Sequence, residues 1–231
     1  MSKFLIISKT ILPYKKELIV EGDKSLSIRW ALIAALANGK SKAKNLLRSE
    51  DVYSTLNCLK KIGVKVKFNE NQCEIKSKGF NNFFYKKNLI LNAGNSGTLG
   101  RLIPAILIKS PVKIKLIGDK SLSKRDFSRV IEPLKKFGVS FFPKNRKNLP
   151  LFLKSNKPLK PINYLENKGS AQCKSSVMFA ALNVSGKTKI KAKKSRDHTE
   201  IIFKYLGVPI KVKKTKSHDF IEIKGPATIK T

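Results

Sequence analysis

Two rhythms of hydrophobic and polar positions follow one another along the 231 residues of this chain. The first is nearly unbroken apolar sequence of helical length, at Trp30 to Ala37, Leu102 to Ile108 and Val177 to Val184. A helix that is apolar around its whole circumference must be buried on more than one side. The second rhythm alternates lysine with less polar residues and predicts half-buried strands at Ser41 to Leu46, Val112 to Ile117 and Thr188 to Lys193. Helical spacing then returns in amphipathic form, as in Val52, Leu56, Leu59 and Ile62 or Phe127, Val130, Ile131, Leu134 and Phe137. Two further strands close the pattern, as at Val64 to Phe68 and Gln72 to Lys76 around the turn-forming Asn69-Glu70-Asn71.

The pattern repeats at a period of roughly seventy residues. Leu59-Lys60-Lys61-Ile62-Gly63-Val64 is echoed by Leu134-Lys135-Lys136-Phe137-Gly138-Val139 and by Phe203-Lys204-Tyr205-Leu206-Gly207-Val208. Each echo reads as a helix end: lysines in the last turn, a glycine able to turn left-handed, then a β-branched residue opening a strand. The order is βαβαββ in units of residues 22–90, 91–165 and 166–231. This predicts an α/β (α+β) chain whose apolar helices are buried.

Composition narrows the class. The chain is 41% hydrophobic and long enough for a core of its own. It has no apolar run long enough for a membrane span, and Phe4 to Ile7 is too short for a secretory signal, so a cytoplasmic protein is expected. Cys58, Cys73 and Cys173 lie far apart and read as reduced, buried thiols, while two histidines and no ligand spacing give no ground for a metal. The net charge of +34 would suit a nucleic-acid binder. Its lysines are nevertheless spread over every strand and turn, with no recognition-helix or base-stacking motif, so nucleic acid is disfavoured and small anions fit better.

The candidate chemistry sits where the apolar helices begin. Gly22-Asp23-Lys24-Ser25-Leu26-Ser27-Ile28-Arg29 sets a lysine, hydroxyls and an arginine at a helix start, with Ser25 or Ser27 expected to cap the first turn. Asn95-Ser96-Gly97-Thr98 with Arg101, and Ser170-Ala171-Gln172 through Lys174, repeat the arrangement. Free N–H groups at such starts attract anions. An ordinary cap with solvated charges, and for Gly97 a plain tight turn, are the bland alternatives. Only seven of the 49 basic residues are arginines, and Arg29, Arg48, Arg101, Arg125 and Arg196 stand at unit junctions, where a planar fork can grip an oxyanion. The junctions also carry acids, Asp51, Asp126 and Asp197, so an Arg–Asp pair within each unit is the competing reading, favoured for Arg48.

Four ordered stretches carry a resemblance: Gly22 to Arg29; Asn92-Ala93-Gly94-Asn95-Ser96-Gly97-Thr98 with Arg101; Gly169-Ser170-Ala171-Gln172; and Ser195-Arg196-Asp197-His198-Thr199-Glu200. Together they resemble the successive motifs of the 5-enolpyruvylshikimate-3-phosphate synthase family, across nearly the whole chain. The sister family acting on UDP-sugars is similar in fold, but its reactive loop cysteine has no counterpart between Ile114 and Arg125. The resemblance implies an inside-out domain of three repeats and transfer of a carboxyvinyl group from phosphoenolpyruvate to the 5-hydroxyl of shikimate 3-phosphate, without a cofactor.

It also implies roles. Lys24 would be catalytic, between the two substrates. Shikimate 3-phosphate would meet Lys24, Ser25, Arg29, Ser170, Ala171, Gln172, Ser195 and Arg196. Phosphoenolpyruvate would meet Lys24, Gly97, Arg125 and Gln172, with Asn95, Thr98 and Arg101 shaping the loop around Gly97. Ile28 and Asp126 depart from the family pattern without removing a ligand. Length departs more: the family's enzymes, monomeric when complete, have two such domains. The expectation is therefore a half enzyme, inactive alone, whose residues 1–20 belong with a second, C-terminal domain that supplies the acid/base groups. A non-catalytic anion- or nucleic-acid-binding domain is the alternative.

Overall fold

The computed structural model describes residues 8–10, 12, 13, 15, 17, 18, 20–70, 72–155 and 158–229. The edge strands expected at Phe4 to Ile7 lie outside the described residues, as does Ile11 of the stretch Thr10 to Leu12, where Thr10 and Leu12 are exposed and in no strand.

The first unit runs α1 (Lys24–Leu36), β1 (Asn38–Lys44), α2 (Glu50–Lys61), β2 (Lys65–Phe68) and β3 (Gln72–Lys78). The second runs β4 (Ile90–Asn92), α3 (Gly97–Ile106), β5 (Ile114–Ile117), a single turn α4 (Lys120–Ser123), α5 (Ser128–Phe137), β6 (Val139–Phe142) and β7 (Leu151–Ser155). The third runs β8 (Asn163–Glu166), α6 (Ala171–Ala181), β9 (Gly186–Lys193), α7 (His198–Tyr205), β10 (Ile210–Lys214) and β11 (His218–Gly225). The expected βαβαββ order holds in the second and third units, with α4 as an added turn. Among the described residues the first unit lacks an opening strand, and its sheet has three strands, β1-β3-β2. The other sheets have four each, β4-β5-β7-β6 and β10-β11-β9-β8, the opening strand pairing parallel to the next (β4 with β5, β8 with β9).

The apolar helices form the interior. In α1 nearly every residue from Ser27 to Leu36 is buried, and α3 packs against both α1 and α6. The amphipathic α2, α5 and α7 bury one face and keep lysines in the last turn. Gly63, Gly138 and Gly207 follow these helices with φ of +85°, +119° and +69°, so the echo seen in sequence is one left-handed stop used three times. Strand lysines such as Lys40, Lys191 and Lys193 face solvent, while Ile75, Leu116, Ile190 and Ile221 line the core. All three cysteines are free and buried. Burial pushes the Cys58 thiol up to about 12 and Cys73 to about 11, which leaves them unreactive.

Candidate anion-binding site

The first turns of α1, α3 and α6 open onto one depression of about 270 Å³, lined by Lys24, Ser25, Asp51, Asn95, Gly97, Thr98, Arg125, Gln172 and Arg196. Each of these helices has a side-chain cap. The Asp23 carboxylate accepts from Leu26 N at 2.7 Å, Ser96 Oγ from Leu99 N at 3.2 Å and Ser170 Oγ from Cys173 N at 3.3 Å. Three partial positive charges of about +0.5 each therefore point at the same space. The expected cap at Ser25 or Ser27 is replaced by Asp23, whose carboxylate reaches the free N–H groups without leaving the turn. Ser27 instead donates to Asp23 O and accepts from Leu47 N.

Within the depression Lys24 Nζ lies 3.2 Å from Asp51 Oδ2. Arg125 donates to Asn95 Oδ1 at 3.1 Å, and the Asn95 amide donates in turn to Asp119 Oδ2 at 2.7 Å. Asp119 caps α4 through Leu122 N, and this bond, followed by that from Asn95, holds its carboxyl below the usual range. The Gln172 amide is used at both ends, accepting from Arg101 Nη1 at 2.8 Å and donating to Thr98 Oγ1 at 3.0 Å. It braces α6 against α3. Arg101 also lies over the Phe127 ring at 5.3 Å, and desolvation lowers its proton affinity. Gly97 sits between two guanidinium groups: a Cβ there would meet Arg101 Nη1 at 2.9 Å and Arg125 Nη1 at 3.0 Å.

Eight of the expected site residues thus share one wall-to-wall space, and five do not line it. Ser170 and Ala171 form the cap and first residue of α6, and Arg101 stands behind Gln172. Ser195 has a buried hydroxyl with no hydrogen-bond partner among the described residues. Arg29 is only 2% exposed, beneath Ser25. Its Nη1 donates to Ser25 Oγ and Ser25 O, Nε to Thr199 Oγ1 at 3.0 Å, and Nη2 to Ser175 Oγ at 3.3 Å. Burial, and then repulsion from Arg196, lower its pKa to about 10, against attraction from Glu200 and Asp23.

The junction Arg–Asp pairs do not form. Asp51 takes Lys24; Asp126 accepts from Ser128 N at 2.7 Å and Ser128 Oγ at 2.9 Å; Asp197 takes Lys214 at 2.6 Å. No arginine–carboxylate pair within 4.0 Å occurs among the described residues. Arg48, expected to pair with Asp51, donates to Asn69 O and stacks over Phe68 at 5.2 Å, while Arg125 and Arg196 face the depression. Lysine and serine are nearer along the fold than the adjacent arginine, which is why adjacency in sequence misleads here.

Sequence reasoning passed over Asp119 and a buried charge cluster of Lys174, Glu200 and Asp219. Asp119 was detectable, as a cap residue ahead of Lys120-Ser121-Leu122-Ser123. The cluster was not, since its members come from α6, α7 and β11. A larger depression of about 790 Å³ lies on the outer face of the third sheet, around Leu165, Lys191, Lys213 and Phe220. Lys191 already covers the Phe220 ring at 5.7 Å, and the lysines of this open sheet face are joined by no helix start, so the smaller depression is the better candidate for a small anion. Among the described residues no helix is long and apolar enough to cross a membrane.

A family model for EPSP synthase (3-phosphoshikimate 1-carboxyvinyltransferase) matches residues 9–231. The chain is 42% identical over 202 residues to the 3-phosphoshikimate 1-carboxyvinyltransferase of Petrotoga mobilis, covering 86% of this chain and 46% of that protein. It is 39% identical over 197 residues to that of Streptococcus pyogenes, with 84% and 46% covered. The solved EPSP synthase of Acinetobacter baumannii matches with a TM-score of 0.83 at 29% identity, over 92% of this chain and 47% of that one. The chain spans about half the length of the curated relatives it matches.

Proposed function

The chain belongs to the EPSP synthase family, and from that premise we propose that it forms the shikimate 3-phosphate-binding half of a carboxyvinyl transferase. In this reaction the acceptor's 5-hydroxyl loses its proton and its oxygen bonds to the phosphate-bearing carbon of phosphoenolpyruvate while the methylene carbon gains a proton; the tetrahedral intermediate then loses phosphate and one methyl proton, which restores the double bond. Both substrates carry a phosphate and a carboxylate. Bringing them together requires cations and oriented dipoles that offset their repulsion. The observation that carries the reading is the shared depression, where three capped helix starts meet Lys24, Arg125 and Arg196 with no carboxylate but Asp51 on the wall.

Ser25, Ser170, Ala171, Gln172, Ser195 and Arg196 take shikimate 3-phosphate, with Arg29 acting from below through Ser25. The buried Ser195 hydroxyl lacks a partner and adjoins Arg196, which lines the depression, so a small shift of this segment toward a bound anion would give it one. Gly97, Arg125 and the loop of Asn95, Thr98 and Arg101 take phosphoenolpyruvate. Lys24 stands between the two, and its ammonium, held by Asp51, is free to turn to a stronger anion. A second domain supplies the proton-transfer groups, and residues 1–20, whose described members are exposed and in no strand, belong with it. The complete enzyme is then a cytoplasmic monomer.

Two measurements test the reading. Shikimate 3-phosphate should raise the melting temperature of the chain, a ligand at a hundredfold its Kd adding about 2.7 kcal/mol of stability. No shift at millimolar ligand overturns it. The chain alone should release no phosphate from the substrate pair, and turnover at an ordinary enzyme rate would overturn the half-site assignment.

A further inference from the structure

The interior holds four charges in a chain that crosses three helices and one strand. Lys174 Nζ lies 2.5 Å from Glu200 Oε1 and 3.7 Å from Asp219 Oδ2, with the lysine side chain fully enclosed. Two carboxylates around one ammonium leave one negative charge over. Arg29, attracted by Glu200 though not in contact with it, balances that charge. An enclosed ammonium is tolerated only with such partners, and the arrangement adds little stability over an apolar one of the same shape. A role other than stability is therefore called for.

The geometry supplies it. Ser175 follows Lys174 on α6 and Thr199 precedes Glu200 on α7, so the two residues that form the ion pair flank the two that grip Arg29. The Ser175 and Thr199 hydroxyls are themselves 2.7 Å apart. Arg29 then fixes Ser25 on the wall of the depression, and Ser195 and Arg196 lie in the segment that leads into the α7 N-cap, Asp197. We infer that Lys174, Glu200 and Asp219 are positioning residues of the anion-binding site: they lock the starts of α6 and α7 together, so that Arg29 holds Ser25 in one orientation and Arg196 keeps its place on the wall. The inference rests on the shikimate 3-phosphate reading for its consequence, but not for its geometry.

Glu200→Gln keeps the shape and removes the charge. Its sign is diagnostic, because deleting a negative charge near an anion site by electrostatics alone would tighten anion binding. Positioning requires the reverse. Two readouts are needed: the Kd for shikimate 3-phosphate by calorimetry, and the exchange rate of the Arg29 Nε–H by NMR without ligand. In Glu200→Gln the Kd should rise about tenfold and the exchange rate about tenfold, with Asp219→Asn moving both the same way by about threefold. Asp219→Asn carries both readouts should Glu200→Gln not fold. Unchanged or tighter binding with unchanged exchange overturns the inference, even if the melting temperature falls, because that is what a purely structural cluster does. Faster exchange in a chain that binds no shikimate 3-phosphate in any form upholds the positioning and overturns the ligand assignment.

Discussion

At the scale of single residues the site is a set of side chains already committed to one another. Gln172 spends both ends of its amide on Arg101 and Thr98, and Asn95 links Arg125 to Asp119, so the polar atoms at the opening are oriented before any ligand arrives. Gly97 behaves differently. The atoms a Cβ would meet are the far ends of two flexible arginines, and alanine is the better helix former. Gly97→Ala should therefore change stability by less than about 1 kcal/mol while displacing the Arg101 and Arg125 guanidinium groups. Gln172→Ala should cost about 1–3 kcal/mol, because it takes the side-chain acceptor from Arg101 and the amide donor from Thr98 at a half-buried helix contact, leaving Arg101 only its long bond to Gly97 O. Urea unfolding compares the two, and the arginine Nε–H resonances should shift in both. A Gly97→Ala chain that unfolds more easily than Gln172→Ala contradicts the account.

At the scale of elements, one device recurs: an apolar helix whose capped N-terminus points at the depression, and an amphipathic helix stopped by a left-handed glycine. Ser170 is the cap that the family resemblance also assigns to the ligand, and the two roles separate by substitution. As a cap, Ser170→Ala should lose about 1 kcal/mol of stability and Ser170→Gly only a few tenths, measured by urea unfolding. Equal losses would mean that the hydroxyl does not cap α6. This level was the most legible in sequence. The echo ending in Gly63, Gly138 and Gly207 and the unbroken apolar runs are local signals, read over a few turns, and they set the helices, the strands and their order. What stayed hidden was pairing between distant segments. Asp51 is three residues from Arg48 yet pairs with Lys24, and Lys174 looks like a solvated lysine until α7 and β11 close over it. Arg29 was expected to meet the ligand but lies buried beneath the depression, which the sequence did not show, since nothing local marks Thr199 and Ser175 as its acceptors.

At the scale of the whole molecule the net charge of +34 works in two directions at once. Lysines spread over the outer sheet faces repel one another and weaken the fold, while Lys24, Arg125 and Arg196 gathered at one opening attract anions. Both effects are screened by salt over about 8 Å at physiological ionic strength and about 3 Å at 1 M. Raising sodium chloride from about 0.05 M to about 0.5 M should therefore raise the melting temperature and at the same time weaken shikimate 3-phosphate binding by about tenfold. Chloride is the right salt, because sulfate or phosphate would occupy the site itself. If affinity and melting temperature moved together, the ligand would be held by shape and neutral hydrogen bonds rather than by charge. The opposed signs follow from the fold: the lysine-rich strands lie on the outer sheets, while Lys24, Arg125, Arg196 and three helix starts face a common opening, where an anion relieves the repulsion they impose on one another.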